Sequence, residues 1–219
     1  MPSPHVIIAI DGPAASGKSS VAQTLAKRIG YTYVNTGAMY RAITWFVTSS
    51  HIDPSNNDAI LQLLNSTSIT CEIHNQQSSI FINGQDPSPH LTSESVNHSV
   101  STIASIPEVR RQLVALQRAC ADHANCVMEG RDIGSAVFPE SPYKFYIDAS
   151  VEVRAQRRAK QGLQDSIAQR DKIDSSRKTS PLVIAEDAHV IDSSHLTIDG
   201  VVGEIIGRLK LKNLLPKDF

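Results

Sequence analysis

Five apolar residues, Val6-Ile7-Ile8-Ala9-Ile10, run almost directly into Gly12-Pro13-Ala14-Ala15-Ser16-Gly17-Lys18-Ser19, which fits G-x-x-x-x-G-K-[ST] without a mismatch. A continuous β-branched run of this kind is the pattern of a strand buried on both faces of a parallel sheet. After the loop, Val21, Ala22, Leu25, Ala26 and Ile29 fall on one helical face, and Gly30 stands where a glycine ends a helix. Strand, glycine loop and helix open an α/β protein. An accidental match in an ordinary turn would have no reason to sit between a buried strand and an amphipathic helix. In that context the residues Gly12 to Ser20 make a nucleotide-phosphate cradle. Successive backbone N–H groups curl around a phosphate, and the helix aims its positive end at it. Lys18 supplies a charge to the β/γ oxygens, and the Ser19 hydroxyl is placed to hold Mg²⁺.

Composition narrows the partners. The chain has 219 residues, 41% hydrophobic and 20% charged, with a formal net charge of −1. No global field recruits nucleic acid or an anionic membrane, so any basic site must be a local cluster. Three cysteines (Cys71, Cys120, Cys126) form no CxxC pair, which predicts free thiols in a reducing compartment. The N-terminus has no basic n-region and too short an apolar run for a secretory leader, and no stretch approaches about 20 apolar residues. The expectation is a cytoplasmic protein.

Further along, Tyr31 to Val34 reads as a second strand, followed by helices through Tyr40–Val47 and over 57–65. Ile69–Ile73 and Ser79–Ile82 read as an antiparallel hairpin around Asn75-Gln76-Gln77, with Asn83-Gly84 as another tight turn. A hairpin here predicts a small inserted subdomain, about 62–100, rather than another strand of the main sheet. Helical pattern resumes over 93–105 and again from Pro107. Residues 126–128, 145–147 and 189–191 are short core strands, and 201–211 a closing helix. The segment 151–177 is rich in Arg and Lys and poor in large apolar residues, the composition of a mobile lid.

Three segments pair arginine with a polar or acidic partner. Asn35-Thr36-Gly37-Ala38-Met39-Tyr40-Arg41 joins a strand end to a helix start, where ligands gather in open α/β sheets. Thr36 is placed to cap that helix. Glu129-Gly130-Arg131-Asp132 ends another strand. Arg170, Asp174 and Arg177 share a helical face. Each has a bland alternative as solvated surface charge; beside a phosphate loop the three together point to an anionic acceptor.

The order GPAASGKSS, NTGAMYR, SVST, PEVR, EGRDIG and RDKIDSSRKTSPL, from Ile10 to about Asp199, closely resembles bacterial cytidylate kinase of the nucleoside monophosphate kinase family. The resemblance implies a parallel-sheet core flanked by helices, an inserted monophosphate-binding part and a lid. It also implies transfer of the γ-phosphoryl group of Mg-ATP to CMP or dCMP. By position, Thr36, Arg41 and Arg131 would be acceptor-phosphate ligands, with Tyr40 beside them. Ser101, Arg110 and Asp132 would read cytosine. Arg170 and Asp174 would contact ribose, with Arg177 bridging to base or phosphate. Arg154, Arg157 and Arg158 would be lid arginines closing over ATP. On this reading Lys18, Arg131, Arg157 and Arg158 carry the catalytic charge. Asn35 and Glu129 depart from the aspartates usual in the family, and Thr36 from its serine.

The chemistry is coherent. A monophosphate acceptor is already largely dianionic at neutral pH, so the task is to bring two polyanions together, which arginine forks do well. Alternatives are a different small-molecule kinase, such as shikimate or dephospho-coenzyme A kinase, and a nucleotide switch; the latter should carry N-K-x-D, which is not in the sequence. A metal hydrolase has no support from the spacing of the eight histidines. Since arginines and insert are accounted for within one chain, a monomer is expected.

Overall fold

The computed structural model describes residues 5–160, 162 and 167–219. Its centre is the apolar run at the start of the sequence, which forms β1 (Ile7–Asp11), buried at every residue. Ile8 and Ile10 point into one core, and Ile7 and Ala9 into another on the opposite face. Only a strand covered on both sides can bury consecutive apolar residues in this way.

The Gly-rich loop leads into α1 (Lys18–Ile29), which Gly30 ends in the left-handed conformation at φ 71°. Then come β2 (Thr32–Asn35), α2 (Thr36–Ser49) and α3 (Asn57–Asn65). Asn35, not Thr36, caps α2: its Oδ1 accepts from the Ala38 N–H at 3.0 Å. The expected role of Thr36 is displaced because its hydroxyl is drawn inward to the Glu129 carbonyl, at 2.7 Å.

β3 (Ile69–His74) and β4 (Gln77–Ile82) form the hairpin, turning on Asn75 and Gln76, both at positive φ. It is not separate from the main sheet as expected. Tyr33 pairs in parallel with Gln77, and the Tyr33 N–H reaches the Gln76 carbonyl at 2.9 Å, so the ribbon takes up hydrogen-bonding groups that β2 would otherwise leave unpaired at the edge. Next are α4 (Glu94–Ile103), α5 (Pro107–Ala121) and β5 (Cys126–Gly130). A wide turn over Ile133–Val137 closes with i to i+5 bonds before β6 (Tyr143–Asp148).

Two arginine-rich helices, α6 (Val151–Lys160) and α7 (Ile167–Ser176), precede β7 (His189–Asp192) and α8 (Ile198–Leu211). The 151–177 segment is therefore helical at both ends; its residues 161 and 163–166 lie outside the described residues.

The seven strands lie in the order β3-β4-β2-β5-β1-β6-β7, parallel except within the hairpin. One core packs α1 and α8 against the sheet, and the other packs α2, α4 and α5. The loop after β1, the start of α2 after β2 and the segment after β5 all leave from the carboxyl ends of neighbouring parallel strands. In open α/β sheets that is the edge where ligands bind. Among the described residues no helix is long and apolar enough to cross a membrane.

Candidate active site

A cavity of about 770 Å³ opens along this edge. The phosphate loop forms one end. A Cβ on Gly12 would lie 2.1 Å from the Ile147 carbonyl oxygen, and Gly12 sits at φ +154°, so only glycine fits. Gly17, at φ 90°, starts α1 with no side-chain cap and no acidic residue in the first turn, leaving its amide donors to the loop. The buried Ser16 hydroxyl has no hydrogen-bond partner, while its carbonyl accepts from Arg157 Nη1 at 3.1 Å and Ser193 Oγ at 2.8 Å. Lys18 Nζ donates to the Pro13 carbonyl at 3.0 Å. Burial, then the charge of Arg131, lowers the Lys18 ammonium to about 7. A buried cation held so far below its ordinary value calls for an anion.

Behind the loop lies a carboxylate cluster. Glu129, fully buried at the end of β5, accepts from Ser19 Oγ and from the Tyr33 hydroxyl, both at 2.8 Å. Burial and Glu129 push the Tyr33 phenol well above its usual value. Asp11 ends β1 and accepts from the Ile133 and Gly134 N–H groups, each at 2.8 Å. Burial raises its carboxyl to about 7, against the lowering pull of those two amides. Asp11 thereby pins the segment after β5 to the root of the phosphate loop.

The other end of the cavity is lined by cations held on fixed partners. Arg110, on α5, pairs with Asp132; their side chains are 2% and 6% exposed. Its guanidinium also donates to the Ala104 carbonyl at 3.2 Å and lies 5.4 Å from the Tyr40 ring centroid. Burial lifts the Tyr40 phenol to about 12. Asp174 takes Arg131 Nε at 3.0 Å and pairs with Arg177, and Ser101 Oγ reaches the same carboxylate at 3.3 Å. Burial would raise this carboxyl, but Arg131 and Arg177 hold it below the usual range. Arg41 Nη1 donates to the Leu91 carbonyl at 2.9 Å and to Asn97 Oδ1 at 2.8 Å.

Thr36, Tyr40, Arg41, Ser101, Arg110, Arg131, Asp132, Arg157, Arg158, Arg170, Asp174 and Arg177 all line this one cavity, with Ala14 through Ser20. Gly12 and Pro13 are not among its lining residues. Arg154 differs: it is buried, bonded to the Ala149 and Ala14 carbonyls and paired with Asp171 at 2.6 Å. It ties α6 to α7 and to the phosphate loop.

Residues 8–211 match the family model for cytidylate kinase. The chain belongs to the cytidylate kinase family. This cytidylate kinase family member is 43% identical to the cytidylate kinase of Geobacillus thermodenitrificans over 213 residues, 92% of this chain and 95% of that one. It is 46% identical to the cytidylate kinase of Alkaliphilus metalliredigens, covering 91% of this chain and 94% of that one. Among solved structures, an uncharacterized protein from Eubacterium ventriosum overlays 94% of this chain and 99% of its own with a TM-score of 0.50. At 13% identity that likeness concerns the fold alone.

Asp11, Tyr33, Asn97 and Ser193 escaped sequence reasoning as site residues. Asp11 carried a usable signal, a charged residue capping a buried apolar strand just before the loop. Asn97 and Ser193 carried none, because the arginines they meet lie 36 or more residues away.

Proposed function

We propose that this kinase transfers the γ-phosphoryl group of Mg-ATP to CMP or dCMP, giving ADP and the cytidine diphosphate. The observation that carries the acceptor is the buried Arg110–Asp132 pair facing the same cavity as the phosphate loop. A carboxylate accepts from the cytosine N4 amino group while an arginine donates to N3 and O2; uracil would set its O4 against the carboxylate.

The loop amides of 14–19, Lys18 and the positive end of α1 bind the donor's phosphates. Arg41 and Arg131 hold the acceptor phosphate in line, and the Thr36 hydroxyl exchanges its bond to the Glu129 carbonyl for a phosphate oxygen. Arg157 and Arg158 neutralise charge on the group in transit. Lys18 and Arg157 donate to backbone carbonyls of the loop itself. Nucleotide binding exchanges those partners for phosphate oxygens. Ser101 and Tyr40 shape the base pocket, and Arg170, Asp174 and Arg177 receive the ribose and its neighbours. The Ser19 hydroxyl, with the Glu129 carboxylate directly behind it, suits Mg²⁺, which when bound supplies charge neutralisation between the β- and γ-phosphates.

Residues 62–100 serve as the acceptor-binding part and 151–177 as the lid, whose closure keeps water from ATP. The reading extends to a monomeric cytoplasmic enzyme, since one chain supplies every side chain of the site. ADP formation from Mg-ATP with CMP, dCMP, UMP, AMP and shikimate offered separately tests it. CMP and dCMP should turn over, with the others near background. Equal turnover of UMP would discard the account of base choice, and no acceptor-dependent turnover would discard the kinase.

A further inference from the structure

Asn97 is not among the residues lining this cavity, yet both arms of the site meet on it. Its Oδ1 accepts from Arg41 Nη1 at 2.8 Å and from Arg158 Nη2 at 3.2 Å. Its Nδ2 donates to the Thr92 carbonyl at 2.7 Å, which fixes which end of the amide faces the arginines. The side chain is buried on α4, one turn before Ser101, whose hydroxyl reaches Asp174 on α7. At spacing i, i+4 the two share a face of α4. That face therefore bears on α2 through Arg41, on α6 through Arg158 and on α7 through Asp174.

An amide is a particular choice for this junction. A carboxylate in the same place would bind two guanidiniums more strongly. It would also set a negative charge beside the arginines to which an incoming phosphate dianion must bind. An amide oxygen orients both forks and adds no charge. The second anchor of Arg41, the Leu91 carbonyl, takes the same Nη1, so one corner of the fork is fixed at two points while the charge stays directed at the cavity it lines.

We propose that Asn97 is a positioning residue for the acceptor phosphate, a neutral shared acceptor that holds Arg41 and the α6 arginine Arg158 at the separation the phosphate requires. The idea rests on the kinase reading above.

Two variants test it, Asn97→Asp and Asn97→Leu, each assayed for kcat and KM with CMP and with ATP and for melting temperature. Asn97→Asp keeps the shape and strengthens both arginine contacts but gives up the Nδ2–Thr92 bond. Its melting temperature should therefore fall no further than that of Asn97→Leu, which loses all three. The KM of Asn97→Asp for CMP should nevertheless rise about tenfold or more, with KM for ATP changed less than about threefold. Asn97→Leu, which lacks the acceptor, should lose about tenfold or more in kcat/KM for CMP. A purely structural role predicts the opposite pattern for the aspartate variant, an unmoved KM for CMP, and that result overturns the proposal. So does equal weakening toward CMP and ATP. If the parent protein itself fails to turn over CMP, the kinase reading falls and takes this one with it. Normal parent turnover with an unaltered Asn97→Asp variant sinks Asn97 alone.

Discussion

Asp132→Asn separates the electrostatic work of the Arg110–Asp132 pair from its shape. The two side chains are 2% and 6% exposed, and among the described residues Arg110 has the Ala104 carbonyl and the Tyr40 ring besides. Removing the negative charge leaves a buried guanidinium uncompensated, at a cost of about 3–5 kcal/mol. For a chain of this size that corresponds to a fall in melting temperature of about 6–20 °C. The amide must then present either its oxygen or its NH₂ to the base. With Arg110 donating from behind, the oxygen is drawn toward Arg110 and the NH₂ faces the nucleotide. There it opposes the cytosine amino group and welcomes uracil O4. A misplaced buried donor costs about 1–3 kcal/mol, so the CMP-to-UMP ratio of kcat/KM should drop about five- to a hundredfold. Coupled measurement of ADP release with each acceptor, and calorimetric melting without nucleotide, give the two numbers. A variant that melts like the parent and keeps its preference would refute both the burial argument and the assignment of Asp132 to the base.

Lys18, lowered to about 7 by burial and by Arg131, should regain its proton when phosphate oxygens surround it, so ATP binding at pH 8 should take up close to one proton. Calorimetry in buffers of different ionisation enthalpy measures this, and Lys18→Arg should abolish it. Asp11, raised to about 7, keeps its proton in the folded state at pH values where the unfolded chain has lost it. Its contribution is full below about pH 4 and is lost as pH rises through 7, so Asp11→Asn should flatten that part of the stability profile relative to the parent. Gly12→Ala places a methyl 2.1 Å from the Ile147 carbonyl and should abolish nucleotide binding in equilibrium dialysis, with a large fall in melting temperature. Tyr33→Phe strands one oxygen of the buried Glu129 and should lower stability by about 1–3 kcal/mol in denaturant titration.

What could be read in the sequence was what depends on near neighbours or on a repeated local pattern. The β1 run, the loop and the face of α1 follow from residues within one turn or one strand of each other, and all came out as expected. The resemblance then placed the arginines, and the structure gathers all of them except Arg154 around one cavity. What escaped depends on partners far along the chain. Nothing near Tyr33 says that its hydroxyl meets Glu129, 96 positions later, or that its backbone joins a hairpin to the sheet. Thr36 looked like a cap because a threonine at a strand-to-helix junction usually is one; Asn35 had the better geometry, and the Glu129 carbonyl claimed the hydroxyl. The wide turn at Ile133–Val137 is held by Asp11, so no local pattern announced it.

The ribbon of β3 and β4 meets the rest of the sheet at a single backbone pairing, Tyr33 with Gln77, helped by Asn35 N–H to Ser78 Oγ at 3.3 Å. The four strands from β2 to β6 are each stitched through four or five pairings. The ribbon's apolar face is held more firmly than its backbone, since Ile80 and Ile82 are buried in the core shared with Ile7 and Ala9 of β1. Altered turns at Asn75-Gln76 and Asn83-Gly84, both exposed, can change the ribbon's reach without disturbing that buried face. Selection can rework those turns while the phosphate loop stays as it is.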